Sequence, residues 1–189
     1  MSLAFPERIV TARTLLRPWR DDEGEALKEA LDRNATHLVP WIPWATGTTV
    51  ALADAEARAR KFATEFREGS NFAYAIRSPD DRTLLGGTGL HPRIGPGGIE
   101  IGYWVDRDQV GQGLAREVAA ALVEVAFGSP GIARVEIHCD ERNLPSARVP
   151  ERLGFSLVGR EPREGGVVLM IWRLLRGEHG HLADGTGAP

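Results

Sequence analysis

The chain reads as a mixed α/β (α+β) domain on one largely antiparallel sheet of about six or seven strands, flanked by about four helices. Three observations predict this. Between Asn71 and Val105, three β-rich runs are separated only by turn sequences, which reads as an antiparallel meander. Around residues 110–115 a strand passes through a glycine turn into a helix. Toward the end, two further β-rich runs flank Gly165-Gly166.

In chain order, Thr11 to Arg17 reads as the first strand. A helix follows from about Asp22 to Asn34, with Asp21 or Asp22 as its N-cap. His37 to Thr49, which holds Trp41, Pro43 and Trp44, reads as a rigid loop or broken helix. The second helix spans about Val50 to Glu68, with Leu52, Ala55, Ala59, Phe62 and Phe66 on one face and Gly69 as its stop. The meander strands cover Asn71 to Arg77, Leu84 to Arg93 and Ile99 to Val105, joined at Ser78-Pro79-Asp80-Asp81-Arg82 and Gly95-Pro96-Gly97-Gly98. Leu114, Val118, Leu122, Val125 and Ala126 recur at helical spacing through Phe127. After the Gly128-Ser129-Pro130-Gly131 break comes a strand from Ala133 to Cys139, then a short helix from Pro145 to Leu153 closed by Gly154. The closing strands are Phe155 to Glu161 and Val167 to Arg173.

The 189 residues suit one domain over 1–176, with a glycine-rich tail over 177–189 expected to be disordered. A hydrophobic share of 42% and a charged share of 26% are ordinary for a soluble globular protein. A net charge of −3 argues against a nucleic-acid partner. No apolar run approaches the ~20 residues of a membrane span, and the N-terminus lacks a secretory apolar core. Cys139 is the single cysteine, so no internal disulfide forms, which suits the cytoplasm. No His/Cys/Asp group has metal-ligand spacing. A monomer or a homodimer is expected.

The strand–turn–helix unit carries the chemistry. Backbone N–H groups and the positive end of the helix dipole converge at such a turn, which favours a phosphate or pyrophosphate. Small residues at Gly111, Gly113 and Ala115 let that ligand approach the backbone. Arg116 stands where a dinucleotide fingerprint needs a third small residue, and the Lys-Ser/Thr ending of a Walker loop is absent.

Four motifs occur in order: Gly102-Tyr103-Trp104-Val105, Gly111-Gln112-Gly113-Leu114-Ala115, Asn143-Leu144-Pro145-Ser146 and Arg152-Leu153-Gly154-Phe155. In that order and spacing the chain resembles the GNAT acetyltransferase superfamily. More narrowly it resembles the RimJ/RimL-type branch, whose named members acetylate protein N-terminal amines. Leu15-Leu16-Arg17-Pro18-Trp19 before Asp21-Asp22-Glu23, and Trp41-Ile42-Pro43-Trp44, fit that branch. The likeness runs from about Ala12 to Arg173.

The resemblance implies a GNAT-type fold and acetyl-CoA as cofactor, with CoA as product. Its pyrophosphate would lie on Val110, Gly111, Gln112, Gly113, Leu114, Ala115 and Arg116, and its pantetheine arm along Tyr103, Trp104 and Val105. Val110 stands where the family usually has Gln or Arg, so one polar contact is missing or comes from Gln109. Asn143 matches a family asparagine that reaches the arm, and it equally suits a helix N-cap. Ser146 matches a serine near the cofactor sulfur. Pro150 should kink the helix that carries it.

The implied chemistry is direct acetyl transfer to a primary amine, which must lose a proton before it attacks. Alternation sets Glu100, Gly102 and Trp104 on one face of their strand, opposite Ile99, Ile101, Tyr103 and Val105. Glu100 is the first candidate base and His138, on the neighbouring strand, the second. Cys139 reads as buried packing. Trp41, Trp44 and His91 are candidates for the acceptor pocket. The acceptor is a peptide N-terminus or, alternatively, a small amine such as a polyamine, amino acid or antibiotic. A non-catalytic acyl-CoA sensor is the reading from outside enzymology.

Overall fold

A computed structural model describes residues 3–42 and 49–183 of the chain. Eight strands form one sheet in the order β1-β2-β3-β4-β5-β6-β8-β7. They are β1 Ile9–Val10, β2 Leu15–Pro18, β3 Phe72–Arg77, β4 Leu84–His91, β5 Gly98–Val105, β6 Arg134–Asp140, β7 Ser156–Pro162 and β8 Val168–Leu175. Every neighbouring pair is antiparallel except β5·β6. Five helices accompany the sheet: α1 Gly24–Leu38, α2 Leu52–Glu68, α3 Leu114–Gly128, α4 Leu144–Arg152 and α5 Arg176–Ala183.

The strand count exceeds the expected one because a two-residue strand, Ile9–Val10, precedes the expected first strand, whose opening residues form a turn instead. Thr11 and Thr14 close a tight turn, with the Thr11 N–H on the Thr14 carbonyl at 2.9 Å and the Thr14 N–H on the Thr11 hydroxyl at 3.0 Å. Ile9 therefore folds back on Leu16. The extra helix, α5, begins where a disordered tail is expected. Arg176 donates to the carbonyls of Phe127, Ser129 and Ile132 at the end of α3, which pins the chain there despite its glycines. Residues 184–189 lie outside the described residues.

Helix α1 also departs from expectation at both ends. It starts at Gly24, and neither Asp21 nor Asp22 caps it. Glu23 holds the N-cap position, but its carboxylate is drawn to Arg17 at 2.6 Å and to the Arg20 N–H at 2.9 Å. The helix runs past Asn34 to Leu38, with the Asn34 side chain fully buried and donating to the Ala30 carbonyl at 2.8 Å.

The sheet separates two apolar layers. Ile99, Ile101, Val135 and Ile137 pack with Val118, Leu122 and Ala126 of α3. Trp104 joins Trp19, Leu27, Leu31 and Ala59 on the α1/α2 side. The alternation expected for β5 is therefore present: its odd-numbered residues face α3, and Glu100, Gly102 and Trp104 face α1 and α2.

Candidate active site

Pairing between β5 and β6 covers only Gly98–Arg134, Ile99–Val135 and Glu100–Glu136. Beyond Glu100 the two strands part, β5 remaining paired with β4 and β6 with β8. The Asp106 N–H donates to the Leu85 carbonyl of β4, and Gly102 offers its carbonyl to Thr88. By alternation, the backbone groups of Ile101, Tyr103 and Val105 turn to the open side. The Trp104 backbone turns to β4 and its ring is buried away from the gap.

The gap leads to the Val110–Gly113 turn. Gly111 and Gly113 hold φ of 79° and 77°, left-handed values that glycine adopts without strain. Gly113 is the N-cap of α3 and has no side chain to cap it. Among the described residues, no amide from Gly111 to Arg116 has a partner in the protein, and the Arg116 side chain is exposed and unpaired. These orphan donors at a helix N-terminus suit a diphosphate.

Neighbouring groups brace the turn. Arg13 donates to the Gln112 carbonyl at 2.9 Å and pairs with Glu117 at 2.6 Å. Asp106 accepts from Asn34 at 3.0 Å and from the Nε of Arg33 at 2.9 Å, tying the turn to the end of α1. Burial pushes the Asp106 carboxyl up, but the bonds from Asn34, the Asp108 N–H and Arg33 outweigh it and hold it below the carboxylate range. Val110 is exposed, and Gln112 folds back onto the Asp108 carbonyl at 2.7 Å.

Opposite the gap stands α4. Asn143 caps it by accepting the Ser146 N–H at 3.2 Å. Pro150 lies inside α4 and removes one of its bonds. An ordinary residue at 150 would donate to the Ser146 carbonyl. Here the Tyr103 hydroxyl donates to that carbonyl instead, at 3.0 Å, and lies 3.3 Å from the Ser146 hydroxyl. Burial pushes the Tyr103 phenol well above its ordinary value, so it stays a donor. Cys139 is buried beside Ser146, and burial pushes its thiol up to about 11, which suits packing better than nucleophilic attack.

On the α1 side of the sheet, where β5 and β6 part, lies a cleft of about 760 Å³. Glu100 and His138 both line it, as do Trp41 and Ile42 beyond the end of α1. Glu100 is buried and accepts from Arg93 with both oxygens, at 2.8 and 2.5 Å. His138 Nδ1 lies 3.7 Å from Glu100, and its Nε2 lies 2.7 Å from Glu136. Arg173 donates twice to the other oxygen of Glu136, at 2.8 and 2.6 Å.

His91 sits on the same face, paired across strands with Glu100, but it does not line the cleft. Its ring lies close over Gly89 and Gly102, where a Cβ would come within 2.6 and 3.1 Å of it. Burial, with Arg93 nearby, lowers its pKa to about 4, so it is neutral at physiological pH. Trp44 lies outside the described residues.

Arg93, Glu136 and Arg173 were not candidates from the sequence. For Glu136 a signal existed: it shares the parity of His138 in Arg134-Val135-Glu136-Ile137-His138. Arg93 and Arg173 come into reach only through strand register and order.

A family model described as an acetyltransferase (GNAT) domain matches residues 13–156. The chain belongs to the GNAT acetyltransferase family. The N-acetyltransferase YnaD of Bacillus subtilis (strain 168), itself named as uncharacterized, is 24% identical over 151 residues, covering 80% of this chain and 84% of the relative. Mycobacterium smegmatis RimJ, solved in complex with CoA-disulfide, superposes with a TM-score of 0.82 at 21% identity, covering 95% of this chain and 94% of that one. RimL, a ribosomal L7/L12 alpha-N-protein acetyltransferase solved with coenzyme A, superposes with a TM-score of 0.79 at 20% identity, covering 88% of this chain and 96% of that one. The family assignment makes the chain an acyltransferase that uses acetyl-CoA, and the residues present fit that molecule: orphan amides for its diphosphate and an open strand edge for its amide-bearing arm.

Proposed function

We propose that this protein transfers the acetyl group of acetyl-CoA to a protein N-terminal amine seated in the Glu100–His138 cleft. The observation that carries the reading is the parting of β5 and β6 after Glu100, with the anion-binding turn following β5 and a cleft lined by Glu100 and His138 beside the last paired residues. Acetyl-CoA supplies a thioester whose carbonyl carbon takes the amine. Amides of the Gly111–Arg116 turn hold the diphosphate, and the open edge at Ile101, Tyr103 and Val105 pairs with the arm. An N–H of that edge near Val105 offers a hydrogen bond to the carbonyl oxygen as charge develops there. Glu100 or His138 takes the proton that the ammonium must lose. The Ser146 hydroxyl, backed by Tyr103, donates toward the departing sulfur. A peptide acceptor is supported by the cleft volume and by its apolar wall at Trp41 and Ile42. RimL, named for the same acceptor chemistry, supports it by likeness of fold. A buried free thiol and the absence, among the described residues, of a membrane-length helix agree with a cytoplasmic enzyme.

The test is CoA release with peptides bearing free N-terminal Ser or Ala, the same peptides blocked, polyamines and amine antibiotics. Turnover is expected with unblocked peptides alone. Turnover confined to small amines would overturn the peptide reading and leave the chemistry standing. No turnover with any acceptor while acetyl-CoA binds would overturn catalysis in favour of an acyl-CoA sensor. In the active enzyme, Ser146→Ala should lower kcat by about tenfold, the worth of one hydrogen bond of roughly 1.4 kcal/mol, with acetyl-CoA affinity unchanged by calorimetry.

A further inference from the structure

We infer that Glu136 is a positioning residue that makes His138, rather than Glu100, the proton acceptor in this cleft. The inference rests on reading the site as one of acetyl transfer. Four residues stand in one cross-strand row over β4, β5, β6 and β8: His91, Glu100, Glu136 and Arg173. Two carboxylates directly opposite each other would repel unless each had its own cation. Arg93 serves Glu100, while Arg173 and, at 3.5 Å, Arg134 serve Glu136.

The two carboxylates differ in what remains free. Both oxygens of Glu100 accept from Arg93, so a proton arriving there neutralises the carboxylate and weakens two charge-assisted bonds at once. Glu136 gives one oxygen to Arg173 and the other to His138 Nε2 at 2.7 Å. Burial pushes the Glu136 carboxyl up, but the bonds from His138 and Arg173 outweigh it and hold it below the usual carboxylate range. An ionised carboxylate only accepts, so Nε2 carries the hydrogen, and in the neutral imidazole the lone pair sits on Nδ1. Nδ1 is 3.7 Å from Glu100, beyond a direct hydrogen bond, and His138 lines the cleft. A proton can therefore pass from the acceptor's ammonium nitrogen to Nδ1, directly or through one water, without breaking a bond already made. The resulting imidazolium lies between two carboxylates and returns its proton to solvent through the cleft, while Glu136 keeps its charge throughout.

Glu136→Gln tests this because Arg173 dictates how the amide lies. The amide oxygen must face Arg173, so the NH₂ faces His138 and favours hydrogen on Nδ1, the wrong tautomer. Nitrogen-15 NMR of the protein alone should show His138 with hydrogen on Nε2 in the wild type and on Nδ1 in Glu136→Gln. Glu136→Asp, which keeps the charge, should keep the wild-type tautomer. With a competent acceptor, Glu136→Gln should lose about 10²-fold in kcat with KM for acetyl-CoA unchanged, a loss typical of a disabled general base. In a His138→Gln background the same change should add no further loss. A wild-type tautomer retained in Glu136→Gln, or an equal loss in both backgrounds, overturns the inference. The tautomer is read without any acceptor, so it decides this point even if the wild type turns over no amine, which would overturn the acetyl-transfer reading.

Discussion

Gly113→Val should weaken acetyl-CoA binding by about 10²-fold or more while leaving the fold in place. Two effects combine. At φ 77° and ψ 8° a β-branched residue is strained by roughly 1–2 kcal/mol or more, so the turn rearranges. Its branched carbons would also stand beside the orphan amides of Leu114, Ala115 and Arg116. Each amide bond to an anionic oxygen is worth roughly 1.5–3 kcal/mol, and losing one or two accounts for the expected factor. The fold survives because a Cβ at 113 meets only the Nη2 of Arg13, at 3.9 Å. Gly111→Ala is the graded control: its Cβ meets nothing within 4 Å, so only backbone strain acts and the loss should be smaller. Calorimetric titration with acetyl-CoA, beside thermal melts, separates binding from folding. Wild-type affinity in Gly113→Val would remove this turn from the cofactor site.

That turn was legible in the sequence because a period of two gives way to one near 3.6 across a pair of glycines, and both signals are local. The two-sided nature of β5 was legible for the same reason, and it marks Glu100 as a candidate from alternation alone. What stayed hidden depends on partners far along the chain. A two-residue strand such as Ile9–Val10 carries no period, and the Thr11–Thr14 turn that creates it uses hydroxyls in place of glycine or proline. The glycines of residues 176–183 speak for disorder until Arg176 reaches three carbonyls in and just beyond the last turn of α3. Pro150 announces a missing donor but not that Tyr103, 47 positions earlier in the sequence, supplies one. Arg173 meets Glu136 only because β8, and not β7, lies beside β6, an order that no local pattern encodes.

Arg17→Met should be the most destabilising charge change in the chain, and its effect should shrink in acid. Arg17 is 7% exposed and joins Glu23 at 2.6 Å and Asp81 at 2.9 Å, tying β2 to the start of α1 and to the β3–β4 turn. Removing the guanidinium leaves the nearly inaccessible Glu23 with Arg77, at 3.9 Å, as its remaining cation among the described residues, while Asp81 keeps Arg77 and the exposed Arg20. Orphaning a buried charge costs about 3 kcal/mol or more. For a chain of this size that is a fall in Tm of roughly 6–12 °C near neutral pH. Burial pushes the Glu23 and Asp81 carboxyls up, but the Arg17 bonds and further polar contacts outweigh it, so both titrate below their ordinary values of 4.5 and 3.8. Groups depressed by folding contribute stability above their unfolded values and lose it as pH falls through the folded ones. In the wild type that contribution is therefore complete at neutral pH and lost only below about pH 4. In Arg17→Met much of it is missing already, so the two melting curves should converge as the pH drops toward 3. A constant gap from pH 7 to pH 3 would mean that Arg17 stabilises by packing its methylene stem and not by its charge. The consequence reaches the active site, because α1, anchored at Glu23, carries at its far end Asn34 for the cofactor turn and leads to Trp41 and Ile42 of the cleft wall.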